Sequence, residues 1–453
     1  MSANWTVVSL SDIVNFKTGR LDSNAAEEGG IYPFFTCSPT TLAINSYAFD
    51  DEAILLAGNN ANGLFAVKYF KGKFNAYQRT YVITPIDKRR VSVQWLYFRI
   101  KHVTAELQQM SVGTATKFLT KKILDAYEVS LPSYDEQERI ADILWSLQDK
   151  LNLNTQTNQT LEAIAQAIFK SWFVDFEPVK AKMAALEAGG TAEEAERAAM
   201  CAISGKDEAA LTQLQTEQPD AYAELAQTAA LFPSAMQDSE LGEIPKGWMV
   251  SDLKSCATEI RRGISPKYTE DEGIQVVNQK CIRNHSVDFS QTRLNDPTKK
   301  KVNGREIVLG DVLVNSTGVG TLGRLAPVRY LSEPAVVDSH VTVVRANTDQ
   351  ISKSFLAGLM FVNEAYIESS GAGSTGQTEL RKEVIEEIRF AKPNLSLSNV
   401  YESIAHPISS QIAELEQQKL TLSVVRDSLL PKLLSGELTL PPAEKTVSEA
   451  DSV

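Results

Sequence analysis

Two hydrophobic rhythms alternate along this chain. From residue 1 to about 134, short apolar runs are separated by turn signals, the pattern of strands and loops with a few helices. Ala53–Ala57, Tyr81–Thr84 and Tyr127–Leu131 predict strands there. The rhythm then changes to a heptad. Ile140, Leu144, Leu147, Leu151, Asn154, Asn158, Leu161, Ala165, Ile168 and Trp172 step by four and three, the spacing that holds one seam of a helix against a partner helix. Both rhythms recur. A second strand-and-loop region covers about 247–394, and Ile404, Ile408, Gln411, Leu415, Gln418, Leu422, Val425 and Leu429 form a second seam. Each helix of about 35 residues would be roughly 50 Å long at 1.5 Å per residue.

The recurrence reaches the residues themselves. LTKKILDAYEVSLP from Leu119 to Pro132 returns as LRKEVIEEIRFAKP from Leu380 to Pro393, at an offset of 261. In the same order, WTVVSLSDIV from Trp5 matches WMVSDLKSCA from Trp248, and ILLAGNNANG from Ile54 matches VLVNSTGVGT from Val312. QRTYVI from Gln78 then pairs with DSHVTV from Asp338, and SVGTATKFL from Ser111 with GAGSTGQTEL from Gly371. The fold expected is α+β: two pseudo-repeated mixed α/β domains, 1–134 and 247–394, separated by two long antiparallel coiled-coil helices, 135–177 and 395–436. Such a pseudo-symmetric molecule suits a target in two halves, of which a split site on double-stranded DNA is the leading case.

Polar residues interrupt both seams, Asn154 and Asn158 in one and Gln411 and Gln418 in the other. Buried, they would fix register at some cost in stability; alternatively they mark a solvent-exposed waist. Pro407 predicts a kink or a late start of the second helix, while Pro431 fits its fraying end. Residues 178–246 have no second copy. Their Ala/Glu-rich composition predicts short helices broken at Gly189, Gly190, Gly205 and Pro219, as a helical insert or linker that could also serve as a docking surface. Residues 437–453 read as a disordered tail.

Composition narrows the class. At 43% hydrophobic and 23% charged residues, 453 residues suffice for two or three domains of a soluble protein. No apolar run approaches the roughly 20 residues of a membrane span, and the start lacks a signal peptide's features, so a cytoplasmic location without membrane contact is expected. Cys37, Cys201, Cys256 and Cys281 are scattered, which argues against a disulfide framework or a zinc site. The net charge of −12 opposes nucleic-acid binding at first sight. Its distribution does not: residues 1–134 carry +3 and 247–394 carry +1, while 135–177, 178–246 and 395–453 carry −5, −7 and −4. Two modest DNA-facing surfaces are permitted, as is a plain protein-binding role.

Catalytic patterns are missing. There is no GxxxxGK[ST] loop, no HExxH and no GxSxG elbow, nor the Asn/Asp-Pro-Pro-aromatic run with which amino-methyltransferases grip a flipped base. The glycine-rich stretches Gly58–Gly63, Gly318–Gly323 and Gly371–Gly376 lack the spacing and following lysine of a phosphate loop. His102, His285, His340 and His406 have no companions in sequence and read as structural. No metal site is expected.

Two diverged units, each closed by a leucine-to-proline exit and followed by a long helix, resemble the specificity (S) subunit of type I restriction-modification systems. EQERIADIL from Glu136, IFKSWFVDFEP from Ile168, ELGEIPKGW from Glu240 and RDSLLPKLLSGEL from Arg426 carry the resemblance over nearly the whole chain. It implies a subunit without catalytic activity or cofactor, in which each globular unit is a target recognition domain for one half of a bipartite, asymmetric DNA sequence. The helices would set the gap and dock two methyltransferase (M) subunits that bind S-adenosylmethionine. Restriction (R) subunits using ATP and Mg would join them. The chain departs from the family pattern where SNVYESIAHPI from Ser398 replaces the usual EQ-x-x-I helix start.

Reading base edges requires Arg, Lys, Asn, Gln, Ser or Thr on loops, with Lys, Arg and glycine-rich backbone holding phosphates. In the first unit the candidates are Lys17, Arg20, Asn59, Asn60, Gln78, Arg79, Thr114, Thr116, Lys117 and Lys121. In the second they are Arg261, Arg262, Asn315, Ser316, Thr317, Arg324, Ser339, His340, Ser374, Thr375, Gln377 and Arg381. Partner docking would fall on the seams, on Ile140, Leu144, Leu147, Leu151, Asn154, Asn158, Leu161, Ile168 and Trp172, and on Leu415, Gln418, Leu422, Val425 and Leu429. Two rival readings remain at this level: a coiled-coil scaffold joining two protein-binding domains, and a nuclease with unrecognised carboxylates.

Overall fold

A computed structural model of the chain describes residues 5–60, 65–113, 116–371 and 379–440. Two compact units emerge, Met1–Asn154 with Gln418–Val453, and Thr155–Gln417. No helix among the described residues is long and apolar enough to cross a membrane.

The first unit is built on a six-stranded sheet in the order Val14–Thr18, Thr80–Pro85, Phe49–Ala57, Val67–Ala76, Tyr32–Phe35, Leu42–Ile44. All neighbours are antiparallel except the parallel pair of Tyr32–Phe35 with Val67–Ala76. The run AILLA is continuous because its strand is buried on both faces. Ile54 and Leu56 pack with Trp95, Leu96 and Phe98 of the helix Val93–His102, whereas Ala53 and Leu55 face Phe35, Phe74 and Val82. Each such side chain contributes on the order of 1.5–3 kcal/mol by leaving water.

The first long helix runs from Tyr134 to Phe173, with Asp135 and Glu136 complementing the positive end of its dipole. Its start is stitched to the sheet domain by Gln137, which is fully buried. The Gln137 Oε1 accepts the Ser92 N–H at 2.9 Å, and Nε2 donates to the carbonyls of Pro132 and Arg90 at 3.0 and 3.1 Å. Ser92 in turn caps Val93–His102 by accepting the Trp95 N–H.

The second unit repeats this plan. Ala257–Arg262, Val341–Ala346, Val312–Asn315 and Leu325–Pro327 form an antiparallel sheet in that order. Val312 and Val314 face one core and Leu313 the other. A second sheet of Tyr268–Thr269, Arg293–Asn295, Ile274–Val277 and Ala335–Val337 adjoins it. The helix Lys353–Val362 is capped by Ser352, whose N–H donates to Ser398 Oγ at 2.8 Å. Ser398 stands 261 residues after Gln137. The unusual helix start therefore keeps the stitch and changes only the side chain that makes it.

The second long helix spans Leu395–Ser435, opened by Asn394 Oδ1 accepting the Leu397 N–H at 2.8 Å. The expected late start at Pro407 is corrected, because helix is continuous on both sides of the proline. An interior proline costs about 3 kcal/mol, and this one sits between anchors. Leu397, Tyr401 and Ala405 before it and Ile412 and Ala413 after it are all buried.

Between the repeats lie four helices, Glu177–Glu187, Ala192–Ser204, Glu208–Glu217 and Pro219–Ala230, broken where the glycines and proline predicted. Ala199, Met200, Leu211 and Ala229 form their small core. Lys182, 2% exposed, is satisfied by Glu196 at 2.7 Å and the Phe232 carbonyl at 2.8 Å. The helical reading of 178–246 is corrected at its end, where Met236–Ser239 and Gly242–Pro245 pair as a hairpin turned by Gly242 at φ 89°.

The ends of the long helices close the cores. Trp172 and Phe173 are buried in the second unit's core against Phe355, Tyr401 and Trp248. Leu433 and Leu434, again 261 residues later, are buried in the first unit's core.

Candidate nucleic-acid interface

In the first unit one sheet end gathers most of the predicted polar residues. Gly58, just past Phe49–Ala57, donates its N–H to the Arg79 carbonyl at 2.8 Å and accepts the Leu119 N–H at 2.9 Å. This joins three segments. Asn59 pairs with Phe118 and Asn60 with Lys117, while Leu21 bridges Tyr77 and its carbonyl accepts the Gln78 N–H. Gly19 makes that approach possible, since a Cβ there would lie 1.7 Å from the Ala76 oxygen.

Lys17, Arg20, Gln78, Arg79 and Lys121 are exposed at this end, and Asn59, Asn60, Thr116 and Lys117 are half-buried. The Arg79 guanidinium lies 5.5 Å from the Phe118 ring centre. Lys121 is tied to Asp125 at 2.6 Å, and Gln78 Nε2 reaches Asp22 at 3.3 Å. Thr114 lies outside the described residues.

The same junction exists in the second unit. Ser316 donates its N–H to the His340 carbonyl and accepts the Leu380 N–H, both at 2.8 Å, and Thr317 bridges Glu379. A Cβ on Gly263 would lie 2.0 Å from the Val337 oxygen.

The side chains, however, are deployed differently. Asn315 and Ser316 were expected to read DNA, and both are fully buried. Asn315 Nδ2 donates to the Gln279 carbonyl at 3.1 Å, and Ser316 Oγ bonds Thr342 Oγ1 at 2.6 Å. They support the loop from beneath and do not reach solvent. Arg262 is turned inward too, its terminal nitrogens held by the Glu379 carboxylate and the Leu380 carbonyl. Arg261 bonds Glu259 through Nε at 2.7 Å and is half-buried.

Of the remaining candidates His340 and Arg381 are exposed and Thr317, Arg324 and Ser339 are half-buried, the Thr317 hydroxyl meeting His340 Nδ1 at 2.8 Å. Ser374, Thr375 and Gln377 lie outside the described residues. Sequence reasoning passed over a further lysine-rich corner, whose charge is partly offset by Asp296, ion-paired with Lys299 at 2.9 Å. Buried Asn295 accepts the Lys267 N–H and donates to the Lys300 carbonyl, collecting Lys267, Arg293 and Lys299–Lys301, and the Arg293 guanidinium stacks 3.5 Å from the Tyr268 ring centre. The run TKKK was a legible signal for it.

Each unit also contains a stretch of paired long helices running antiparallel. In the first unit Asn154 Nδ2 donates to Gln418 Oε1 at 2.6 Å and Arg426 to Gln148 at 3.1 Å. In the second, Asn158 donates to the Ile412 carbonyl and Tyr401 to that of Ala165. Ile140, Leu144, Leu151, Asn154 and Trp172 are buried, and Leu147, Asn158, Leu161 and Ile168 half-buried.

The second seam is corrected. Gln411 is exposed and Ile412 takes its place; Leu415, Leu422 and Leu429 are half-buried, Gln418 is exposed but bonded to Asn154, and Val425 is 38% exposed. The exposed positions 411, 418 and 425 recur every seven residues while 408, 415, 422 and 429 stay half-buried, so one flank of the heptad seam is the more solvent-facing one.

No group of three or more His, Cys, Asp or Glu among the described residues is placed to hold a metal. The cysteines are free thiols, and burial pushes that of Cys281 up to about 11, away from nucleophilic chemistry. His285 is held above its ordinary value by its hydrogen bond to Glu364 at 2.8 Å.

Comparison with known proteins points one way. A model of the type I restriction modification DNA specificity domain matches residues 2–163. The type I restriction enzyme HindI specificity subunit of Haemophilus influenzae is 31% identical over 335 residues, 71% of this chain and 71% of that protein. The EcoDI specificity subunit of Escherichia coli is 39% identical over 168 residues, 37% of this chain and 36% of its own. Among solved structures, the type I restriction-modification S subunit from M. genitalium aligns with a TM-score of 0.56 at 14% identity, covering 95% of this chain and 96% of that one. At that identity the likeness concerns the fold.

Proposed function

Because this chain belongs to the family of type I restriction-modification specificity subunits, whose part is DNA target recognition and is non-catalytic, we propose that its two units each read one half of a bipartite, asymmetric double-stranded DNA sequence. The observation that carries this reading is the three-segment junction, built twice with the same backbone hydrogen bonds at Gly58 and Ser316, flanked by loop cations and amides in the first unit and by loop cations, hydroxyls and an imidazole in the second, groups suited to phosphates and base edges.

In this reading the paired long helices set the gap between the halves and dock two methyltransferase subunits along their seams. Those subunits carry S-adenosylmethionine and the methylation chemistry. Restriction subunits, with ATP and Mg, join the same core. The weakly basic recognition units leave part of the phosphate contact to the partners.

The test is a genome-wide methylation map of cells carrying this chain with its methyltransferase, against cells lacking it. A new methylated motif of two short halves at a fixed gap is expected. An unchanged map, with the methyltransferase expressed and stable, would refute the reading.

A further inference from the structure

Val319 is 83% exposed, more than any other large apolar residue described, and its position is constructed. Where Val312–Asn315 ends, the chain makes a closed loop. The Asn315 N–H donates to the Arg324 carbonyl at 2.9 Å, and the Asn315 carbonyl accepts the Gly323 N–H at 2.8 Å. Inside the loop the Gly318 carbonyl accepts the N–H groups of Thr321 and Leu322 at 3.2 and 3.0 Å.

Both neighbours of Val319 are glycines with positive φ, 108° at Gly318 and 72° at Gly320. A Cβ on Gly318 would meet Thr321 Oγ1 at 2.3 Å and Gln279 Oε1 at 2.6 Å. The loop therefore turns its other apolar residue, Leu322, inward and holds the valine at the tip. Around it stands a polar collar. Arg324 Nη2 is braced on the Gly320 carbonyl at 2.7 Å, and the Thr317 hydroxyl is held by His340.

Among the base edges of the major groove, the apolar feature is the 5-methyl group of thymine, flanked by donors and acceptors. An apolar tip within a polar collar matches that edge. A β-branched side chain has few rotamers to lose on contact, and the flanking glycines let the backbone come close enough for a short side chain to reach.

We propose that Val319 is a specificity-determining residue that packs its methyl groups against the 5-methyl of a thymine in the half-site read by the second unit. This rests on the DNA-recognition role argued above. The test uses the full chain in its methyltransferase assembly and duplexes carrying the methylated motif, with each thymine replaced in turn by deoxyuridine, which removes only the methyl group. One replacement should weaken binding about three- to fivefold, the scale of one buried methyl. Val319→Ala should lose a similar factor and cease to distinguish thymine from uracil at that position.

A motif without thymine, binding indifferent to every replacement, or a Val319→Ala protein as sensitive to uracil as the parent would overturn the proposal. An assembly that binds no duplex with sequence preference would instead bring down the recognition role itself, along with this contact.

Discussion

In the first unit Gly58 lies beside the Tyr81 ring, where a Cβ would sit 3.1 Å from Cε2; in the second, the same place holds Ser316, bonded to the smaller Thr342. The exchange has a third member. The Tyr81 hydroxyl caps the Leu119 carbonyl at 2.9 Å, and in the second unit, where threonine cannot reach, Arg262 caps the equivalent carbonyl of Leu380 at 2.7 Å. The two backbone bonds made by Gly58 recur at Ser316 while the side chains around them have changed in compensating sets. An arginine near a binding surface can thus be a structural replacement for a tyrosine, which neither charge nor position reveals.

The contrast can be broken first where the helices enter the cores. Trp172→Ala should cost about 3–5 kcal/mol and Leu434→Ala about 2–5 kcal/mol. Hydrogen exchange should show lost protection in 247–394 for the first and in 1–134 for the second. Equal loss in both units from either substitution would dissolve the two-core description.

Gly58→Ser sharpens the exchange itself. Its Cβ would stand 2.5 Å from the Arg79 oxygen as well as against Tyr81, so a loss of about 1–3 kcal/mol in urea unfolding is expected. Adding Tyr81→Thr should return part of it, and strict additivity would disprove the coupling.

Next come the two arginines. Arg79→Ala should weaken DNA binding by the assembly and lower the slope of log affinity against log salt by about one. Arg262→Ala should leave that slope unaltered; a matching drop would return Arg262 to the phosphate-binding set.

The smallest effect is electrostatic and confined to the second unit. His285 faces Glu364, Glu162 and Arg329, and its pKa is raised above the unfolded value of 6.5, first by the Glu364 hydrogen bond. The associated stability is therefore fully present below 6.5 and is lost as pH rises through the folded value. Glu364→Gln should flatten the dependence of stability on pH in that range, and an unaltered profile would assign it to other groups.

Much of this was legible in the sequence. The offset of 261 between the two exits placed both long helices, the matches upstream of them, in the same order but at shorter offsets, placed the strand regions, and Ile140, Leu144 and Leu151 lie where the heptad put them. Asn315 and Ser316 misled because a polar run after VLV resembles a surface loop, yet the strand ends beneath one. Gln411 misled because it shares one heptad position with Gln418 and Val425, the more exposed flank of the seam, and spacing alone does not tell the two flanks apart. The role of Leu433 and Leu434 was hidden for another reason: their contacts are with residues more than 280 positions earlier, such as Leu144 in the same core, and local patterning carries no information about so distant a partner.

That distance has a consequence for biosynthesis. About 300 residues separate the end of the first repeat from Leu434, so at roughly 5–20 residues per second the ribosome delivers the first unit about 15–60 s before the helix that completes its core. Until then the N-terminal sheet domain carries an open apolar socket. A nascent chain that stops early keeps that socket unfilled, so a truncated product would stay marked for chaperones and proteases by its own first domain.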